Sequence, residues 1–169
     1  MARLFFALWP GPETRDSLLK IRDTLPADCG RLISANNLHI TLVFLGEVNA
    51  EKAECVMDRA RQLSIKPVTL ILDNIGWWNK TQVVWLAPAH IPEEIPIFVA
   101  ELAAASTRCS VRLDQQRPYR PHVTLARGVR RKPVLHSVIP VQWPVRGFSL
   151  IQSQTIPGGS SYKEIWSSP

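Results

Sequence analysis

Two short segments of this 169-residue chain carry the same order of side chains. Leu38-His39-Ile40-Thr41-Leu42 and Pro121-His122-Val123-Thr124-Leu125 both read histidine, β-branched apolar residue, threonine, leucine, and their histidines stand 122 − 39 = 83 positions apart, about half the chain. Residues two apart in a strand share a face, so each segment presents an imidazole beside a hydroxyl while Ile40, Leu42, Val123 and Leu125 point into the opposite layer. With eight threonines and four histidines in the sequence, chance supplies only about 0.2 histidine-x-threonine pairs. A fold with one such strand in each of two pseudo-repeated lobes accounts for the spacing.

Composition bounds the rest. With 46% hydrophobic residues and six tryptophans, the chain has the apolar surface to offset the entropy of ordering, which excludes a disordered protein. No apolar run approaches the roughly 20 residues of a membrane span. The opening run through Trp9 ends in Pro10-Gly11-Pro12 and is too short for a signal peptide. Cys29, Cys55 and Cys109 stand far apart, so neither a disulfide framework nor a zinc site is expected, and a reducing cytoplasm is.

Net charge is 20 − 14 = +6, and it is uneven. Arg108, Arg112, Arg117, Arg120, Arg127, Arg130, Arg131 and Lys132 cluster with only Asp114 opposing them, a composition that suits a polyanion or a solvated face.

Punctuation by Pro and Gly divides residues 1–169 into short elements without a linker, so a single domain is expected. Strands are predicted over 3–9, 38–45, 68–75, 83–87, 111–113, 122–126, 145–151 and 162–166. Helices are predicted over 12–25, with Pro12 in the first turn, over 50–63, with Asn49 as N-cap, and over 96–108. This alternation gives an α+β class.

Two imidazoles held on rigid strands suit opening of a phosphodiester. One takes a proton from the nucleophile and the other gives one to the leaving oxygen, and imidazole titrates near neutrality. Thr41 and Thr124 can donate to non-bridging phosphate oxygens. The scheme requires no metal, and no third ligand stands at metal-ligand spacing beside either motif. The residues alone require one acid and one base without saying which histidine is which.

At these residues the sequence resembles the 2H phosphoesterases, and within them the RNA 2′,3′-cyclic phosphodiesterases also called 2′-5′ RNA ligases. Arg3-Leu4-Phe5-Phe6-Ala7-Leu8 resembles the opening strand, the stretch from Asn37 through His39 and Thr41 to Gly46 the first motif, and the stretch from Arg120 through His122 and Thr124 to Arg127 the second. The resemblance implies a bilobal, pseudo-symmetric α+β fold, with two antiparallel sheets flanking a central cleft and helices outside. It implies metal-independent, cofactor-free opening of a terminal 2′,3′-cyclic phosphate to a 2′-phosphate, with 2′-5′ joining in some members. His39 is then the acid and His122 the base, Arg127 a phosphate contact and Phe44 an aromatic beside the terminal base. The implied partners are RNA ends bearing the cyclic phosphate, tRNA-derived ones among them, or small cyclic nucleotides.

Strict alternation would put Phe44 and Arg127 on the face opposite their histidines, five residues away, so a bulge or a strand end must re-aim them if they act. His90 and His136 lack a hydroxyl partner and are expected in loops. Trp9, Trp85 and Trp166 are expected in the core, and one of Trp77 and Trp78 at the cleft rim. The absence of heptads leads to a monomer. Two other functions fit the same motifs: a phosphodiesterase of small cyclic nucleotides or ADP-ribose cyclic phosphates, and a non-catalytic RNA-binding module.

Overall fold

In the computed structural model, which describes residues 1–114 and 118–168, the elements follow as β1 (Ala2–Leu8), α1 (Pro12–Arg22), β2 (Arg31–Leu32), β3 (Ile40–Val48), α2 (Ala50–Ala60), β4 (Val68–Leu72), β5 (Asn74–Trp78), β6 (Val83–Ala87), α3 (Glu94–Arg108), β7 (Val123–Arg127), β8 (Val141–Val145), β9 (Ser149–Ile156) and β10 (Gly159–Ser167). Arg117 of the basic segment lies outside the described residues. The fold is α+β with two antiparallel sheets, as the sequence leads one to expect. One sheet runs β10-β9-β1-β3-β7-β6-β5, with β2 added beside β7, and the other pairs β4 with β8.

Both motif strands belong to the larger sheet. β3 and β7 touch through a single pair, Ile40↔Val123, the two apolar residues that sit between histidine and threonine in each motif. Both are fully buried. Beyond that pair the strands diverge, β3 taking β1 as its partner and β7 taking β6. The histidine-threonine faces therefore meet where the sheet splays open.

The helices form where periodicity and caps coincide. Pro12 opens α1, where its missing N–H costs nothing. Asn49 caps α2, its side-chain oxygen accepting from the Lys52 N–H at 2.9 Å, a contact worth about 1 kcal/mol. Leu18 and Ile21 of α1, Val56 and Ala60 of α2, and Ile95, Phe98 and Leu102 of α3 are buried in a common core. No helix among the described residues is long and apolar enough to cross a membrane.

Four expectations are corrected. The run 68–75 is two strands in different sheets, broken at Asp73, whose carboxylate accepts from the Ala89 N–H at 2.8 Å. The run 145–151 spans the end of β8 and the start of β9, because buried Phe148 continues the apolar pattern through the turn between them. Residues 111–113 form no strand. The chain leaves α3 through Ser110 at φ 57° and buries Val111 without a strand partner.

The fourth correction concerns the cysteines. Cys55 on α2 and Cys109 at the end of α3 form a disulfide, with Cα atoms 5.8 Å apart. Their separation of 54 residues carries no signature of its own, and only the packing of α2 against α3 brings them together. Cys29 is free and buried. The inference of a reducing compartment from unpaired cysteines thus loses its basis.

Candidate active site

His39 and His122 line one cleft, together with Thr41, Thr124, Phe44 and Arg127. All six residues singled out in the sequence converge there. Of the two ways left open for re-aiming Phe44 and Arg127, a bulge or a strand end, a bulge is present on both motif strands. Along β3 the register against β1 passes from Phe6↔Val43 to Ala7↔Thr41, leaving Leu42 as the extra residue. Along β7 the register against β6 passes from Val84↔Ala126 to Trp85↔Thr124, leaving Leu125 as the extra residue. The bulged residue is the leucine of each motif, and one extra residue reverses the alternation after it. Phe44 and Arg127 are thereby returned to the cleft face, three residues past Thr41 and Thr124. The signal lay in the sequence: Leu42-Val43 and Leu125-Ala126 are consecutive apolar residues, all buried, where strict alternation would expose one of each pair.

Both imidazoles are aimed by their own backbone. His39 Nδ1 lies 2.7 Å from the Asn37 carbonyl oxygen, and His122 Nδ1 lies 2.8 Å from that of Arg120, in each case two residues upstream. A carbonyl only accepts, so Nδ1 carries the hydrogen and Nε2 is the basic atom. His39 Nε2 then accepts from the Thr41 hydroxyl at 3.1 Å. The Asn37 side-chain amide donates to the Ser160 carbonyl at 2.6 Å, which ties the first motif to β10. Tyr119 is half-buried, its hydroxyl donating to the Thr41 carbonyl at 3.1 Å. Burial without a charge partner pushes that phenol well above its ordinary range, so it is a fixed donor that holds the approach to His122 against β3.

The electrostatics favour neutral rings. Burial lowers the His39 pKa from 6.5 to about 4, its bond to Asn37 opposing and the charges of His122 and Arg127 reinforcing the shift. His122 is lowered as well, first by burial and then by Arg127, with its bond to Arg120 opposing. A cleft with two neutral imidazoles, the guanidiniums of Arg3 and Arg127 and no carboxylate in its lining is short of negative charge. An anion bound there stabilises protonated imidazole and raises both values.

Several contributors escaped the sequence reading. Arg3, Phe5, Ser153, Ser160 and Tyr162 also line the cleft. Arg3 and Phe5 are two apart on β1, so strand parity could have found them; the Arg3 guanidinium lies 5.1 Å from the Phe44 ring centre. Ser153 and Tyr162 are cross-strand partners of the β9–β10 hairpin, which no motif announced. Trp9, expected in the core, stacks on His39 at 5.7 Å and 21°. Trp78 meets His122 edge-on at 4.7 Å, and it packs on Trp85 at 5.2 Å. Trp85 in turn covers Gly76, where any side chain would collide with its indole. His90 and His136 are exposed in loops, as expected.

Comparison with known proteins agrees with this geometry. The curated RNA 2′,3′-cyclic phosphodiesterase of Escherichia coli is 38% identical over 126 residues, covering 74% of this chain and 71% of that protein. The one of Thermus thermophilus is 30% identical over 173 residues, covering 95% and 86%. E. coli LigT complexed with 3′-AMP superposes with a TM-score of 0.90 at 31% identity, covering 99% of this chain and 98% of that one. The profile described as the 2′-5′ RNA ligase superfamily matches residues 10–156. With 147 of 169 residues matched, the chain belongs to the 2′-5′ RNA ligase superfamily.

Proposed function

We propose that the protein hydrolyses the terminal 2′,3′-cyclic phosphate of RNA to a 2′-phosphate. The observation that carries this reading is the meeting, in one cleft, of two imidazoles with Nδ1 fixed on backbone carbonyls, two threonine hydroxyls and the guanidinium of Arg127. The curated relatives named for this activity support it. The cyclic phosphate sits between the two threonines, with Arg127 supplying the paired donors that match phosphate oxygens. Thr41 leaves His39 Nε2 for a phosphate oxygen when the anion enters.

His122 Nε2 takes a proton from water, and the water oxygen attacks phosphorus. Negative charge on the non-bridging oxygens of the five-coordinate state is held by Thr41, Thr124 and Arg127. The bond from phosphorus to O3′ breaks, and His39 Nε2–H delivers its proton to that oxygen, leaving a free 3′-hydroxyl. One proton has passed from His39 to the product and one from water to His122, and exchange with solvent restores the pair. A 5′-hydroxyl in place of water yields a 2′-5′ linkage with the same assignments, and cleavage of that linkage exchanges them. Every step uses protons and hydrogen bonds from this chain. The assignment of His39 as acid and His122 as base comes from the family resemblance.

The test is a short RNA ending in a 2′,3′-cyclic phosphate, incubated with excess chelator and with wild type, His39→Ala or His122→Ala. Chelator-resistant release of a 2′-phosphate that either substitution abolishes is the expected result. A folded wild type that leaves this end intact yet opens a small cyclic phosphate would replace RNA as the substrate.

A further inference from the structure

Beside the cleft lies a second concavity lined by Gly128, Arg130, Arg131 and Lys132 on one side and by Asp28 and Cys29 on the other. It begins at the residue after Arg127, which lines the cleft. The cleft itself encloses only about 180 Å³, below the roughly 300–1,000 Å³ typical of sites that engulf a small molecule. It accommodates the end of a larger molecule, whose remainder must lie on the surface next to it.

The basic loop is held in place by its root. Val129 is buried, its N–H donates to the Gln82 carbonyl at 3.0 Å, and its own carbonyl accepts from the Trp77 indole N–H at 3.0 Å. Arg130, Arg131 and Lys132 project into solvent directly from that anchor. Neither of the ion pairs identified among the described residues involves them, and among those residues Asp28 is the one carboxylate lining the groove. At most about 11 Å of extended chain separates Arg130 from Arg127. Arg31 adds to the same track: it pairs with Arg127 across β2 and β7, and its guanidinium lies against Gly159, next to Ser160 of the cleft.

We infer that residues 128–132 and this groove form a second phosphate-binding site, which holds the RNA backbone one or more nucleotides upstream of the end in the cleft. The inference deepens the proposed function and rests on it for the identity of the polymer. The partner chemistry is a single-stranded polyanion, since fixed cations outside a cleft that admits only an end select a chain of phosphates. A cyclic mononucleotide has no phosphate to place there.

The experiment compares wild type with the Arg130→Ala, Arg131→Ala, Lys132→Ala triple variant on a 12-nucleotide RNA ending in a 2′,3′-cyclic phosphate and on a 2′,3′-cyclic mononucleotide. The ratio of kcat/KM for the oligonucleotide to that for the mononucleotide is expected to fall about tenfold or more. The slope of log affinity against log salt for the labelled 12-mer should become shallower by about 2, at roughly 0.7 per single-strand phosphate contact. The conservative double variant Arg130→Lys, Arg131→Lys, with Lys132 retained, should keep most of both. An unchanged ratio with an unchanged slope in the triple variant overturns the inference, as does an equal loss on both substrates. Should wild type open neither substrate, the proposed reaction fails, while the salt slope of 12-mer binding still decides whether the groove holds RNA backbone.

Discussion

The two histidines are written by the same local code and sit in different surroundings. Each donates from Nδ1 to the carbonyl two residues upstream, each is followed by a threonine on its own face, and each strand bulges at the next leucine. The surroundings come from elsewhere in the chain. His39 is boxed by Phe5 at 5.0 Å, Tyr162 at 5.1 Å and Trp9 at 5.7 Å, whereas His122 meets Trp78 at 4.7 Å and stands closer to Arg127 in the chain. Burial sets the direction of both pKa shifts. The comparison teaches that a repeated motif fixes where a proton donor or acceptor points, while its neighbours decide how tightly it holds the proton.

The sharpest way to break the comparison is to remove one ring at a time. His39→Ala and His122→Ala should each lower kcat on the cyclic RNA end by about 10²- to 10⁴-fold. Their residual pH profiles should differ in kind. Loss of the acid removes the fall in rate on the alkaline side, and loss of the base removes the rise on the acid side. If His122→Ala instead abolished the alkaline fall, the two roles would be exchanged.

Arg127 acts on both rings, so its removal tests what they share. Arg127→Ala should lower kcat by about 10²-fold, the usual effect of losing one donor to the developing charge. It should also move the pH profile of kcat/KM to higher pH, because Arg127 lowers both imidazoles. Arg127→Lys should retain the profile's position better than its height, since a point charge lacks the paired donors.

Protonation itself is measurable without turnover. In the free protein, histidine NMR titrations should place His39 near pH 4 and His122 below 6.5, and inorganic phosphate should raise both. The optimum of kcat/KM, which reports the free enzyme, should therefore fall on the acid side of 6.5, with that of kcat at higher pH. The unfolded chain binds more protons than the folded one as pH falls from about 6.5 towards 4, so the histidines' contribution to stability is lost through that window. A chemical denaturation series across it should show the decline.

Gly76→Ala separates the two sites more gently. A methyl group there displaces the Trp85 indole and through it Trp78, the neighbour of His122. A stability loss of about 1–3 kcal/mol is expected from overpacking, with resonances of His122 shifting and those of His39 staying in place. Cys55→Ser should have the smallest effect on rate. It removes the α2–α3 crosslink, which typically costs about 2–4 kcal/mol of stability, with no change expected in the pH profile.

Much of the site was legible because its chemistry is local. The histidine-x-threonine order sets a shared face, and consecutive apolar pairs after each threonine mark the bulges, whereas the carbonyls that fix both tautomers emerge only in the structure. Strand boundaries were less legible where apolar runs crossed a turn, as at Asp73 and between Val145 and Ser149, because hydrophobic periodicity records burial and not sheet membership. The aromatic partners of His39 come from β1, the residue after it, and β10, and nothing near the motif names them.

By itself, then, the sequence determined the α+β class, the start of α1 at Pro12, the Asn49 cap of α2, and the His39–Thr41 and His122–Thr124 pairs, four of the eleven residues that line the cleft. These follow from backbone sterics, alternation and capping, which act over a few positions. The tertiary structure alone decided that Ile40 meets Val123, that Cys55 reaches Cys109, and that Trp9 and Trp78 each meet one histidine. Those contacts join residues tens of positions apart, and their geometry depends on how whole elements pack, which no local spacing encodes.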